Sequence, residues 1–286
     1  MNLKNVSLLA SVGFVALLSL AQTNAALAAT APTLGTTSPY GVVSSTLTNA
    51  NFPGPPVLTN VTGSVCGTTL NIPLPSIITG STDTPCAAQV GLDQGKALAI
   101  LVGQAIPSTC TDISALLPLD AVVIGANPAG TFPPGCYFSS GAMNLTLSKT
   151  MTLNGPGIYI FRPGGALNTG ANSQVVLANG ACASDVYWAP VGATTIGAYT
   201  IGGIPPVLPT FQGNILDDAG ISMGNFAYLT GRALSFGGTV TLAANRIDVP
   251  TCAPFTAGIP TLSEWGVIML VALLALLGFV AIRRMT

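Results

Sequence analysis

Three groups of residues have the types and spacing to do chemistry. Gly220-Ile221-Ser222-Met223-Gly224 has the spacing of a nucleophile elbow, where a serine on a sharp turn attacks an acyl carbon. The 286-residue chain contains no histidine, so no imidazole can take the serine proton. The same pattern arises readily among 33 glycines. Asp217-Asp218 is an adjacent acidic pair, but neighbouring strand residues point to opposite faces and make no dyad. A surface turn, or at most a weak calcium contact, is expected there. The third group is six cysteines: Cys66, Cys86, Cys110, Cys136, Cys182 and Cys252. Without histidine or a C-x-x-C pair they read as disulfides rather than a metal site. Their fifteen possible pairings stay open. No cofactor and no metal are expected, and no catalytic residue is assigned.

Composition narrows the rest. Charged residues make up 6% of the chain, and the formal net charge is −1. Ordinary soluble domains carry about 25% charged residues. Nothing therefore points to nucleic acid, and eight Lys and Arg cannot furnish the clusters that phosphate chemistry needs. Long Glu/Lys-rich amphipathic helices are excluded in the same way. With 49% hydrophobic residues and 32 threonines, the composition is that of a β-rich protein with many turns.

The two ends read as addresses. In residues 1–28, Lys4 supplies a positive start, Val6 to Leu20 an apolar stretch, and Ala26-Leu27-Ala28 a cleavage site, together a secretory signal helix. Near the other end stands Ile259-Pro260-Thr261-Leu262-Ser263-Glu264-Trp265-Gly266. A charge-free run over 267–282, a candidate transmembrane helix, and the pair Arg283-Arg284 follow. Motif, apolar helix and basic end in that order closely resemble the IPTL-CTERM sorting signal. That resemblance implies a sorting protease of the exosortase-linked type as partner, cutting near the motif. The alternative is a plain membrane anchor. Either places residues 29–258 outside the cytoplasmic membrane, at the cell surface or free.

Within 29–258 a helix is expected at about 86–106. Thr84 and Pro85 start it, Pro107 stops it, and Val90, Leu98, Leu101 and Val102 form its apolar side. Asp93, Gln94 and Lys96 fall opposite. The remainder reads as short period-two strands between Gly- and Asn-rich turns, recurring about every 20 residues from Met143 to Ile247. That recurrence suggests stacked solenoid coils. A β-sandwich is the structural alternative.

The order of segments resembles a large microbial ice-binding-protein family. Leu34-Gly35-Thr36, Tyr40 to Asn49 and Leu58 to Gly63 match its opening coils. Phe132-Pro-Pro-Gly135, Leu153 to Phe161, Asn179 to Trp188, Phe211 to Leu216 and Gly231-Arg-Ala-Leu234 continue the match, and Pro250-Thr-Cys252 closes it. The resemblance implies a mostly β fold: a discontinuous right-handed β-solenoid with one long α-helix packed alongside. It also implies ice as the partner, docked on a flat Thr/Asn/Gly/Ala face, and no enzymatic activity. The family pattern T-(A/G)-x-(T/N) fits Thr169-Gly170-Ala171-Asn172. Thr195, Asn225 and Thr239 are candidates in neighbouring coils, although Tyr199, Phe226 and Tyr228 intrude near them.

The physical rationale is spacing. Stacked coils repeat about every 4.8 Å, so ranked threonines present methyls and hydroxyls at regular intervals. An uncharged surface of that kind can order water, whereas charges would hold their own hydration shells. If the aromatics are exposed, the alternative is a surface adhesin or matrix protein on the same fold, since rings stack on sugars and apolar faces. An exported hydrolase using carboxylates alone is the third reading, and the scattered aspartates oppose it.

Overall fold

A computed structural model describes residues 29–50, 58–72, 76–199, 206 and 208–252. The chain divides into a unit ending at Ala253 and a second from Pro254 to Thr286. The signal helix expected at 1–28, the sorting motif 259–266 and the span expected at 267–282 lie outside the described residues. Among the described residues no helix is long and apolar enough to cross a membrane.

Every strand pair among the described residues is parallel, which favours the solenoid over an antiparallel sandwich. Strands of successive coils stack into ladders on three sides, and Tyr40–Ala50 and Tyr228–Ala243 each run on from one ladder into another. The stacking order is not the chain order. Strand Tyr40–Ala50 lies between Tyr228–Ala243 on one side and Ser64–Asn71 on the other. The chain thus starts at an internal rung and builds outward through Thr82–Asp83. It then crosses to the far end and climbs back from Cys110 to Ala243.

The crossing is made by the helix Ala88–Val102. It is shorter than the 86–106 expectation at both ends. Cys86 is tied to Cys66 before the first turn, and Gly103 closes the last turn with its N–H on the Ala99 carbonyl. The Arg162 guanidinium then takes the carbonyls of Val102 and Gln104, groups that a continuing helix would need. Val90, Gln94, Ala97 and Leu101 face the solenoid. Gln94 therefore sits on the inner side, contrary to its sequence assignment. Its amide donates to Asp218 and its carbonyl oxygen accepts from the Phe236 N–H, so burial leaves no polar atom unmatched. Val102 is correspondingly exposed. Gly91 is required because the Phe236 ring lies 2.4 Å from where a Cβ would stand.

Inside the coils the apolar residues of successive rungs pile on one another. Tyr137, Phe161 and Trp188 are in register. Phe161 and Trp188 stack at 4.2 Å and 16°, and Phe211 continues the column 5.0 Å beyond Trp188. The Trp188 Nε1–H donates to the Gln212 carbonyl at 2.8 Å, so the largest ring is held in orientation as well as in place. A filled interior of this kind keeps the outer faces from buckling.

All six cysteines are paired: Cys66–Cys86, Cys110–Cys136 and Cys182–Cys252. The first two bracket the helix, tying the chain just before and after it to adjacent rungs.

Candidate functional site

The three ladders expose faces of different chemistry. The helix covers the first, over an apolar layer that includes Cys66, Val43, Leu234, Leu216 and Ile160. The second carries charge. Arg246 pairs with Asp248 at 2.7 Å and lies 4.5 Å above the Tyr228 ring. The phenol of Tyr228 donates to Asp248, which also accepts from Thr62; burial raises the pKa of the Asp248 carboxyl, but the bonds from Arg246, Tyr228 and Thr62 and the Arg246 charge outweigh it and hold it below its ordinary value.

The third face is bare. Its central rank is Asn144, Asn168, Thr195, Ser222, Thr241, Thr48 and Asn71, one residue per rung in unbroken register. Seven rungs at about 4.8 Å give a rank about 29 Å long. All seven side chains are uncharged and all are exposed or half-exposed. A shorter parallel rank runs beside it, Thr239–Thr46–Thr69. Both ranks rest on inward-facing neighbours such as Met143, Leu145, Leu167, Ile221, Val240 and Leu242, which are buried in the core. The edge of the face is trimmed by glycine. A Cβ on Gly197 would stand 2.4 Å from the Gly170 carbonyl oxygen, so a larger residue would push the rungs apart. Asn168 donates to Asn144 at 3.1 Å, ordering two adjacent amides.

The five residues singled out in the sequence separate on this geometry. Thr195 stands in the central rank and Thr239 in the flanking one. Thr169 does not stand on the face: it points inward at 8% exposure, and its Oγ1 accepts the Gly197 N–H of the next coil at 2.8 Å. The strand Leu167–Thr169 alternates, so when Asn168 faces out its neighbour faces in. Asn172 and Asn225 lie at the edge, where the chain turns off the face. Asn172 holds a left-handed φ of 57° and donates its N–H to Ala198, while the Asn225 carbonyl accepts from Tyr199. The aromatics are not on the surface. Tyr199, Phe226 and Tyr228 are 9%, 4% and 7% exposed, and the Tyr199 hydroxyl accepts from Gln174 at 2.6 Å. The rings that would have spoiled the flat face, or furnished an adhesin with stacking platforms, are folded away.

Most of the rank was missed in the sequence, yet a signal was present. Its members are the middle residues of short triplets, such as Met143-Asn144-Leu145, Ile221-Ser222-Met223 and Val240-Thr241-Leu242. A small uncharged polar residue between two apolar ones, found at four of the seven rungs, marks the outward position.

The acidic pair also separates. Asp217 is fully buried, accepting from the Thr194 hydroxyl at 2.6 Å and the Ala219 N–H at 2.8 Å, and burial pushes its pKa up. Asp218 instead holds Gln94 of the helix and the Gly237 N–H. Both brace the corner between the helix-covered and bare faces; the surface turn expected for the pair holds for Asp218, which is exposed on a turn, and not for Asp217. Ser222 of the G-x-S-x-G pattern is a rank member, with Thr195 and Thr241 on either side. Among the described residues no group of three or more Cys, Asp and Glu could hold a metal ion.

Known proteins resemble this chain. Residues 47–248 match the ice-binding-like family, and residues 257–284 match the IPTL-CTERM motif. An ice-binding protein of Flavobacterium frigoris is 31% identical over 133 residues, 46% of this chain and 45% of that protein. One of a Nostoc strain is 31% identical over 228 residues, 77% of this chain and 75% of its own. The chain thus spans about half the length of the Flavobacterium relative and most of the Nostoc one. Among solved structures, the domain of Shewanella frigidimarina ice-binding protein 1 superposes with a TM-score of 0.62 at 22% identity, covering 79% of this chain and all of that one, a likeness of fold. With the family's pattern spanning the solenoid from the first coil to the last, the chain belongs to the ice-binding-like family.

Proposed function

We propose that this chain binds ice through the bare face, with Thr195, Ser222, Thr241 and Thr48 at its centre and Thr239, Thr46 and Thr69 beside them. The observation that carries the reading is the unbroken seven-residue rank of uncharged polar side chains. Docking on a crystal sums many weak contacts, and the sum is large only if all are in register. Hydroxyls and amides alternating with methyl groups can hold a water layer whose order continues into the lattice. A lysine or aspartate in the rank would keep its own hydration shell. The other two faces fail this requirement, one because a helix covers it and the other because Arg246 and Asp248 carry charge.

The sorting motif at 257–284 supports export to the cell surface or the extracellular space. Removal of residues 1–28, passage of 267–282 through the membrane and cleavage by an exosortase-linked protease complete this reading. Intact mass of the protein recovered from cells checks the processing: a product starting near Ala29 and ending near Ile259 is expected, and retention of 267–282 would indicate a permanent anchor. For the activity, the full chain is expected to show thermal hysteresis and to inhibit ice recrystallisation. A folded, disulfide-intact protein with neither property would overturn the assignment.

A further inference from the structure

We propose that the Cys182–Cys252 bridge is an anchor point for mechanical force, delivering any pull on the C-terminal tail into the solenoid directly across from the bare face. The proposal rests on the ice reading for its purpose but not for its test. Cys182 lies in the connection between strands Gln174–Ala178 and Val186–Trp188, and the same coil goes on to Thr194–Ile196 on the bare face. In a three-sided coil that connection is the corner opposite Thr195. The bond to Cys252 fixes there the last described residue before the segment carrying the sorting motif. A chain held by its tail therefore has its exit on the side away from the uncharged rank.

The path of the chain shows why a bond is needed. The last strand is Arg246–Asp248, three rungs from Val186–Trp188 in the stacking order. Three rungs are about 14 Å, a span that the four residues from Val249 to Cys252 can cover when extended. The segment runs back along the corner to reach Cys182. Without the bond, a pull on the tail would act first on Arg246–Asp248, a three-residue strand held only by short ladders to Tyr228–Thr230 on one side and Asn60–Thr62 on the other. With the bond, the pull enters next to Val186–Trp188, whose Trp188 is locked between Phe161 and Phe211 in the core column. The other two bridges have local work at the helix ends, whereas this one closes 70 residues of chain and meets the exit. A freely diffusing inhibitor has no use for such a coupling. A protein that holds a surface to ice has to carry load from one side of the coil to the other.

The test pulls the full chain between handles placed at its two termini, in optical tweezers under non-reducing conditions. Three proteins are compared: wild type, Cys182→Ser/Cys252→Ser and Arg246→Ala. The double variant is expected to first extend at a force at least about twofold lower than wild type, as the C-terminal coils strip away. Arg246→Ala weakens the hold on the last strand but keeps the bridge, so its first extension is expected at the wild-type force. Equal first-extension forces for wild type and double variant would overturn the anchor. So would a lowered force in Arg246→Ala, which remains decisive should the double variant not fold. A second arm holds beads by the tail against an ice surface in flow. Equal thermal hysteresis in solution with at least about twofold weaker bead retention for the double variant is expected, and equal retention would overturn the anchor. Absence of hysteresis in wild type would remove the ice reading alone, since the tweezers need no ice.

Discussion

The helix-covered face and the bare face are made by the same coils, at the same rung spacing, over the same interior. They differ in the residues at alternate positions. Under the helix the outward residues are Cys66, Val43, Leu234, Leu216 and Ile160, and on the bare face they are Asn, Thr and Ser. The first set must be hidden from water, so the chain gives one long element to covering it. The second satisfies its polar groups in water or ice and needs no cover. Which side of the solenoid is left open to solvent is thus decided by what the other sides require, as much as by the surface itself.

The contrast can be broken most strongly under the helix. Ala97 is fully buried against the solenoid, and Ala97→Glu would place a carboxylate there with no partner. A loss of about 3–5 kcal/mol is expected, seen as an early denaturant midpoint. Thr195→Lys makes a similar change of charge on the bare face. Stability should stay within about 0.5 kcal/mol of wild type because the position is exposed. Ice binding should fall about tenfold or more, since a retained hydration shell costs the docked state on the order of 1–3 kcal/mol. Thermal hysteresis measured alongside thermal unfolding separates the two effects. Unchanged hysteresis in Thr195→Lys would mean that this face is not the one used.

A smaller change sharpens the division between inward and outward positions. Thr169→Val keeps the shape but removes the acceptor for the Gly197 N–H, so stability should drop by about 1–2 kcal/mol with activity of the folded protein retained. The opposite result, lost activity at full stability, would return Thr169 to the face. The smallest effect is expected at Asp93, where the helix holds the opening turn Gly35–Thr37. Its carboxylate accepts the Thr36 N–H first, then the Thr36 hydroxyl, with Gln89 and Lys96 beside it, and its pKa is lowered to about 2. An unfolded aspartate titrates near 4. A depressed folded pKa contributes stability fully present above about pH 4 and lost as pH falls toward 2. Asp93→Asn should therefore lower the melting temperature at pH 6 and merge with wild type near pH 2.

Much of the fold was legible. Short strands and a long helix follow from the period-two segments and the Thr84-to-Pro107 window, the six cysteines announced disulfides but not their pairing, and the solenoid was singled out from a sandwich by the family resemblance. The face was legible only in part, for a physical reason. Thr169-Gly-Ala-Asn172 looks like a surface motif when read as a string, but the strand's alternation puts Asn168 outside and Thr169 inside. Knowing that a strand exists does not fix its phase, and a slip of one residue exchanges every inward and outward side chain. Gln94 shows the same limit in the helix, because its partners Asp218 and Phe236 are 124 and 142 residues away. The buried aromatics could not be read either: Tyr199 is withdrawn by packing and by Gln174 of an earlier coil, which no local pattern announces.

The inserted first strand has a consequence for the timing of synthesis. Val42 pairs with Ala233 and Leu47 with Val240, so on one side the first strand finds its neighbour only in the last coil. Closing those pairs means closing a loop of nearly the whole domain, a slow step whose entropy cost falls due before any contact repays it. While the chain is still emerging from the ribosome, residues 40–83 have no sheet to join on that side. The nascent protein consequently stays open until its final coil has been made. For a chain bound for export, an unfinished sheet is an asset, because only an extended polypeptide can be threaded through a narrow membrane channel. The seam that later makes the solenoid continuous is also what delays its completion until the far side.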